Sequence, residues 1–318
     1  MAPTATRANA RATETPAPLR DNRPCMHARH FAQLLFLSAV WGGSFPLIRI
    51  AAPAFGPLPM AFLRCVLAAL VLALLMRSTR KAWPARNHWG AIAVLSLLTL
   101  VAPFVLFNWA GLVLPAGYSA VLNATAPLFG VLAGALFREE RLTARRLAGC
   151  AVGLGGVALL VQLGPVQPDW PVVLAVLACI TASAAYGFGA ILMKRATMAH
   201  EPLPASAAVH IAGAFVLLLP AATTASAVQV RADAVVALLV LGTFTSGFMY
   251  WLSMRLMREI PASAATSSAF MIPMFGVSWG ALFLGEPVTA GMLPGVALVL
   301  LACALVTGFN PLRLRTAR

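Results

Sequence analysis

The sequence predicts an all-α integral membrane protein of about ten transmembrane helices, built as two inverted five-helix repeats with both termini in the cytoplasm. Three observations predict it: composition, the partition of charge along the chain, and an internal repeat. Apolar residues fill 60% of the 318 positions and only 10% are charged. A soluble domain carries about 25% charged residues, so the solvent of this chain is largely lipid. The apolar runs are continuous, as in Val66 to Met76, Ala91 to Phe107 and Val235 to Leu241. Barrel strands would alternate with a period of two, so the spans are helices.

Residues 1–30 are rich in Ala, Pro, Thr and Arg and lack the periodicity of a core element. They read as a disordered basic cytoplasmic tail, although a basic, acid-poor N-terminus also resembles a transit peptide. The spans follow at 31–52, 57–76, 89–110, 115–137 and 147–163, then at 171–193, 204–222, 234–254, 261–284 and 291–309. Each is close to the roughly 20 residues that cross about 30 Å of hydrocarbon. Pro57, Pro115, Pro171, Pro204 and Pro261 stand at span starts, where a missing N–H costs little. Residues 310–318 form a short basic cytoplasmic tail.

The formal charge of +14 would suit a nucleic-acid partner only if it clustered on one folded face. Instead Lys and Arg fill alternate gaps between spans. With the N-terminus inside, all 23 fall on the cytoplasmic side except Arg231, in an outer loop, and Arg49 and Arg64, within spans. This is the positive-inside pattern, and a wrong span count would scramble it. A nucleic-acid function is excluded. Cys25, Cys65, Cys150, Cys179 and Cys303 show no CxxC or paired spacing, so no metal site or disulfide framework is expected.

Pro115 onward matches Pro261 onward at an offset of 146. Pro127 meets Pro273, Phe129-Gly130-Val131 meets Phe275-Gly276-Val277, and Glu140 meets Glu286. At an offset of 145, Trp41-Gly42 meets Tyr186-Gly187 and Arg49 meets Lys194. The repeats are 31–163 and 171–309. Each holds five spans, an odd number, so the second crosses the membrane in the opposite sense. Inverted halves of this kind are characteristic of many carriers.

Trp41-Gly42-Gly43-Ser44-Phe45 resembles the WGxxF start of an EamA-type repeat, and Arg64 is similar to that family's arginine in span two. The block from Pro115 to Gly149, with Ala126-Pro127-Leu128-Phe129 and Glu139-Glu140-Arg141-Leu142-Thr143, resembles its spans four and five. Ile272-Pro273-Met274-Phe275 to Gly285-Glu286-Pro287 does so in the second half. The family is the drug/metabolite transporter superfamily, and the resemblance covers roughly residues 31–309. It implies ten helices around a central cavity and export of amino acids, other metabolites or drugs. Small four-helix relatives exchange protons on a membrane-embedded Glu in their first helix. Span one here has no acid, so that residue is not carried over.

The substrate-cavity candidates are Trp41, Arg64, Asn108, Asn123, Tyr186, His210, Tyr250 and Phe270. Arg64 is a charge inside hydrocarbon, a functional candidate by default or else a group that snorkels or ties helix ends together. The offset of 146 sets His210 against Arg64, and His210 is the best titratable group for proton linkage unless it is a hydrogen-bonded core residue. Buried amides such as Asn108 and Asn123 need partners. The aromatic rings offer flat faces for a substrate or fill the core; Trp251 reads as an interface anchor. Pro46, Pro103, Pro127 and Pro273 are hinge or kink candidates. The GxxxG pairs Gly130/Gly134, Gly149/Gly153 and Gly276/Gly280 permit close helix contact and hint at a homodimer.

The function expected is a secondary carrier in the inner membrane, an exporter of a small metabolite, amino-acid-like or drug-like solute by alternating access. No P-loop GxxxxGK[ST] occurs, so ATP does not drive it directly, and no cofactor is expected. The alternatives are a channel, which would carry a filter motif or charged rings, and a membrane-embedded enzyme, which would need a cluster of His, Asp, Glu or Cys at membrane depth. A reporter fused after Arg318 is expected to be active only in the cytoplasm; activity outside would break the topology.

Overall fold

The computed structural model of the chain describes residues 28–138, 143–163, 166–167, 169–259 and 268–307, with the side chains of 28, 161–163, 269, 270, 303 and 307 outside that description. The regular elements among the described residues are all helices, with no strand among them. The helices are α1 Ala28–Phe55, α2 Pro57–Ser78, α3 Arg86–Ala110, α4 Ala116–Leu136, α5 Ala144–Leu163, α6 Trp170–Ala199, α7 Pro202–Ala222, α8 Ala232–Glu259, α9 Ser268–Leu284 and α10 Met292–Thr307. Seven of them, α1–α4 and α6–α8, are long and apolar enough to cross a membrane. Helices α9 and α10 contain shorter apolar stretches.

Local chemistry sets the boundaries. A single residue, Gly56, separates α1 from α2 at φ 75°, a left-handed conformation that costs glycine little, and Pro57 then opens α2. Asp169 caps α6, its carboxylate accepting from the Val172 N–H at 3.0 Å, with Pro171 in the first turn. The start of α4 is capped from far away in sequence. Glu286, in the loop after α9, accepts from the N–H groups of Ala116 (2.7 Å) and Gly117 (3.1 Å). A carboxylate at a helix N-terminus satisfies orphan donors and complements the dipole. Its sequence counterpart Glu140 lies outside the described residues.

The four hinge or kink candidates among the prolines fall into two groups. Pro127 interrupts α4 at Ala124–Thr125, because it offers no N–H to the carbonyl of Asn123. Pro103 follows a stretch of wider π-type turns, Leu97–Val101. Pro46 and Pro273 lie inside helices that run on without a break. A second π stretch, Val240–Phe248, lies within α8. It covers the positions that the 146-residue offset pairs with the first.

The helix packing follows the same offsets. Helix α1 packs on α9 and α6 on α4; α2 packs on α7 and α5 on α10. At Gly42 an added Cβ would meet Phe275 Cβ at 2.6 Å, Gly276 N at 2.9 Å and the Ile272 carbonyl at 2.9 Å. At Gly187 it would meet Phe129 Cβ at 2.6 Å, Gly130 N at 2.6 Å and the Ala126 carbonyl at 2.8 Å. Offsets of 145 and 146 convert one set of contacts into the other. Gly149 against Val306 and Gly295 against Leu160 are related in the same way.

These contacts correct the dimer reading. Gly149 and Gly153 face Val306, Ala302 and Leu128, Gly276 faces Ala120, and Gly130 faces Gly187. The close-approach surfaces at these glycines are taken up within the chain, and a homodimer is not supported.

Gly187→Ala forces a methyl into backbone atoms that cannot swing aside, and overpacking of this kind costs about 1–3 kcal/mol. Its thermal unfolding midpoint in detergent is expected to fall. Gly155→Ala, where no atom lies within 4 Å of the new Cβ, is expected to leave the midpoint unchanged or slightly raised.

Candidate functional site

Arg64 projects from α2 into the protein interior and is 4% exposed. Its Nε and Nη2 donate to Ser246 Oγ at 3.3 and 3.2 Å, and Nη1 donates to Asn108 Oδ1 at 3.4 Å. The guanidinium carbon lies 3.7 Å from the centroid of the Phe104 ring, a cation–π contact strengthened by loss of water. Asn108, fully buried, passes the connection on, donating from Nδ2 to the Pro57 carbonyl at 3.2 Å. No carboxylate forms an ion pair with Arg64 among the described residues.

The cluster continues around the π stretch of α8. Trp41 Nε1 donates to the Thr245 carbonyl at 3.2 Å. Tyr250 shares a 3.0 Å hydrogen bond with Thr99 Oγ1, which comes from the π stretch of α3. His210, fully buried, meets the Tyr250 ring edge-on at 5.0 Å between centroids. Its Nδ1 lies 2.8 Å from the Ser206 carbonyl. A carbonyl only accepts, so Nδ1 serves as the donor in that bond, and the Ser246 backbone also acts on the ring as a hydrogen-bond partner. Tyr186 stacks on Phe107 at 6.1 Å, one helical turn from Phe104.

The structure thus joins Trp41, Arg64, Asn108, His210 and Tyr250 in one polar interior, with Tyr186 on Phe107 beside it. Asn123 sits at the break in α4, its Oδ1 buried without a hydrogen-bond partner among the described residues. The Phe270 side chain lies outside the described residues. Sequence reasoning missed Ser246, Thr245, Thr99 and Phe104. The run Thr243-Phe244-Thr245-Ser246-Gly247 was the available signal, a polar interruption within an apolar span.

Toward the opposite end from the Lys/Arg-rich loops, a largely apolar cleft of about 530 Å³ opens beside Pro57. Pro53, Leu58, Leu106, Trp109 and Leu112 line it. Its Pro57 wall is the residue to which Asn108 is bonded, so one amide connects the cleft to Arg64. Chemically, the site offers a buried cation with fixed hydroxyl and amide neighbours. It suits an acceptor-rich anion such as a carboxylate. Among the described residues no group of three or more His, Cys, Asp or Glu could hold a metal ion.

Fold and site together define a polytopic helical membrane protein with a polar, cationic interior. The model of the EamA-like transporter family matches residues 31–162 and again 173–308, and the chain belongs to that family: it is a multi-pass membrane transporter. It is 27% identical over 276 residues to the "Probable terminal-alkyne amino-acid exporter" of Streptantibioticus cattleyicolor, covering 86% of this chain and 91% of that one. It is 28% identical to the "Uncharacterized inner membrane transporter YedA" of Escherichia coli K12, with coverage of 87% and 90%. It is 23% identical to the "Probable amino-acid metabolite efflux pump" of Salmonella typhimurium, with coverage of 89% and 96%. A solved crystal structure shares the fold with a TM-score of 0.65 at 16% identity, over 87% of this chain and 98% of that one.

Asn108→Ala strips the Pro57 carbonyl and one Arg64 N–H of their partner. Leaving buried polar groups unpaired costs about 1–3 kcal/mol, so its unfolding midpoint in detergent is expected to drop. Asn123→Ala, which removes an Oδ1 that is already unpartnered, is expected to cost less.

Proposed function

We propose that this transporter is a secondary carrier of the inner membrane that exports a small carboxylate-bearing, amino-acid-like solute by alternating access. In this reading all ten helices cross the membrane as two inverted five-helix halves, 31–163 and 171–309, with the Lys/Arg-rich end in the cytoplasm. The observation that carries the substrate reading is Arg64, a buried guanidinium bonded to Ser246 and Asn108 with no carboxylate among the described residues to neutralise it. Burying an ion costs several kcal/mol unless it is paired, and a carboxylate on the cargo supplies the missing partner. The aromatic rings of Trp41, Tyr186 and Tyr250 would face the remainder of the solute. The export direction draws support from relatives named as an amino-acid exporter and an efflux pump.

The inverted arrangement draws support from two family matches in one chain and from the offset-related contacts at Gly42 and Gly187. Each half can then adopt either of two poses, and exchanging them turns an inward-open site into an outward-open one. In that exchange Pro103 and Pro127 act as hinges, since each adjoins an irregular stretch of its helix; Pro46 and Pro273 bend continuous ones.

Transport into or out of proteoliposomes, screened over amino acids and their decarboxylated analogues, tests this. Removing one member of a buried, hydrogen-bonded charge pair costs about 2–5 kcal/mol. Arg64→Ala is therefore expected to lose at least about thirtyfold in transport at unchanged membrane level, and amines lacking the carboxylate are expected not to be carried. Unchanged transport by Arg64→Ala would remove the anion seat.

A further inference from the structure

We propose that a groove at the Lys/Arg-rich end binds the phosphate headgroup of an anionic phospholipid, with one acyl chain lying along an aromatic ladder on α8. The inference requires only that α1 and α8 lie in a bilayer; it does not depend on which solute is carried. The groove has a volume of about 520 Å³ and runs between the end of α2, the start of α7 and the end of α8. Thr79, Lys81, Trp251, Arg255 and Arg258 line it together with two carboxylates, Glu201 and Glu259.

The charges in the groove do not balance. Lys81 Nζ lies 2.8 Å from Glu201, and Arg255 Nε donates to Glu259 at 2.9 Å. Glu259 is shared with His30 at 3.6 Å. Arg258 forms no ion pair among the described residues, so the groove holds one cation in excess. The side chains of Lys81 and Arg255 remain 43% and 45% exposed and can turn toward a ligand. A phosphate offers only acceptors, which ammonium and guanidinium groups match.

An apolar track leaves the groove and fixes the source of that phosphate. The Trp251 and Phe248 rings stand 5.4 Å apart between centroids, Phe248 and Phe244 5.9 Å, and Phe244 and Phe36 of α1 6.1 Å. Residues 244, 248 and 251 share one helix face. Phe36, Phe244 and Phe248 are 47%, 38% and 37% exposed on helices long and apolar enough to cross a membrane, so in a bilayer this face meets lipid. Free phosphate would use the groove and leave the ladder idle. A phospholipid uses both, and Trp251 stands at the junction, where interfacial tryptophans sit. Basic pockets between helices at a membrane face are known to suit such headgroups.

The full-length protein, extracted in mild detergent from vesicles of equal phosphatidylglycerol and phosphatidylcholine, is examined for retained lipid by native mass spectrometry. Phosphatidylglycerol is expected to be retained in excess. Arg258→Ala is expected to reduce that excess about fivefold, the contribution of one interfacial cation, and Lys81→Gln to act in the same direction. Arg86→Ala, an equal charge change outside the groove, is expected to leave it unaltered. Trp251→Ala is expected to weaken retention of the lipid while sparing the charge preference of what remains. Circular dichroism and elution volume verify that each variant is folded. Equal retention of the two lipids by the parent protein would overturn the proposal, as would an Arg258→Ala result matching Arg86→Ala. Complete displacement of the lipid by millimolar glycerol phosphate would also overturn it, in favour of a soluble phosphate.

Discussion

A guanidinium buried among apolar helices, with no acid paired to it among the described residues, sets the terms for the interior of this protein. Lipid offers nothing to an ion, so every stabilising contact must come from the chain itself. Arg64 draws on Ser246 Oγ, Asn108 Oδ1 and the face of Phe104, which come from two other helices. The positions of α3 and α8 relative to α2 are therefore tied to one cation. Neither neighbour neutralises it. On the proposed reading that remaining charge is met by an anionic group of the cargo; in a purely structural network a carboxylate of the chain would neutralise it.

Two kinds of contact hold the helices around this centre. The first is steric: at Gly42 and Gly187 backbone meets backbone with no room for a methyl group, which maximises dispersion where no hydrophobic effect operates between helices. The second is polar: Glu286 ties the loop after α9 to the start of α4 through two charge-assisted hydrogen bonds. Any movement that parts α4 from that loop must break both of them. Tight glycine seams can slide while keeping their packing, whereas the Glu286 clasp has only made and broken states.

Most of the architecture was written in features that sequence carries explicitly. Apolar runs located the helices, and Pro57, Pro115, Pro171 and Pro204 marked helix starts to within a few residues, while Pro261 lies outside the described residues. The register of the repeat even paired Gly42 with Gly187, which proved to make equivalent contacts. The site was half legible. Arg64, Asn108 and His210 stood out because polar groups are costly in a span, and Tyr250 because its ring offers a flat face. Thr99 did not, because a hydroxyl that bonds its own helix at i−4 excites no suspicion; Ser246 was signalled only by the polar run Thr243–Gly247, and that run does not reveal the π turns that place it. The spacing in GxxxG said that a helix could be approached closely but not by what, and the partner turned out to lie in the same chain. The Glu286 cap joins residues about 170 apart and could be seen only once the fold was known.

The central claim is that the Arg64 interior is a transport site reached from each side of the membrane in turn. Ser246→Cys, placed at the Arg64 partner in a chain whose other cysteines are replaced by serine, tests it most directly. An impermeant thiol reagent is applied first to one face and then to the other in sealed, oriented vesicles. The account predicts modification from both faces, slowed from both by a transported carboxylate. Modification from one face only, or none from either with the protein active, would contradict it.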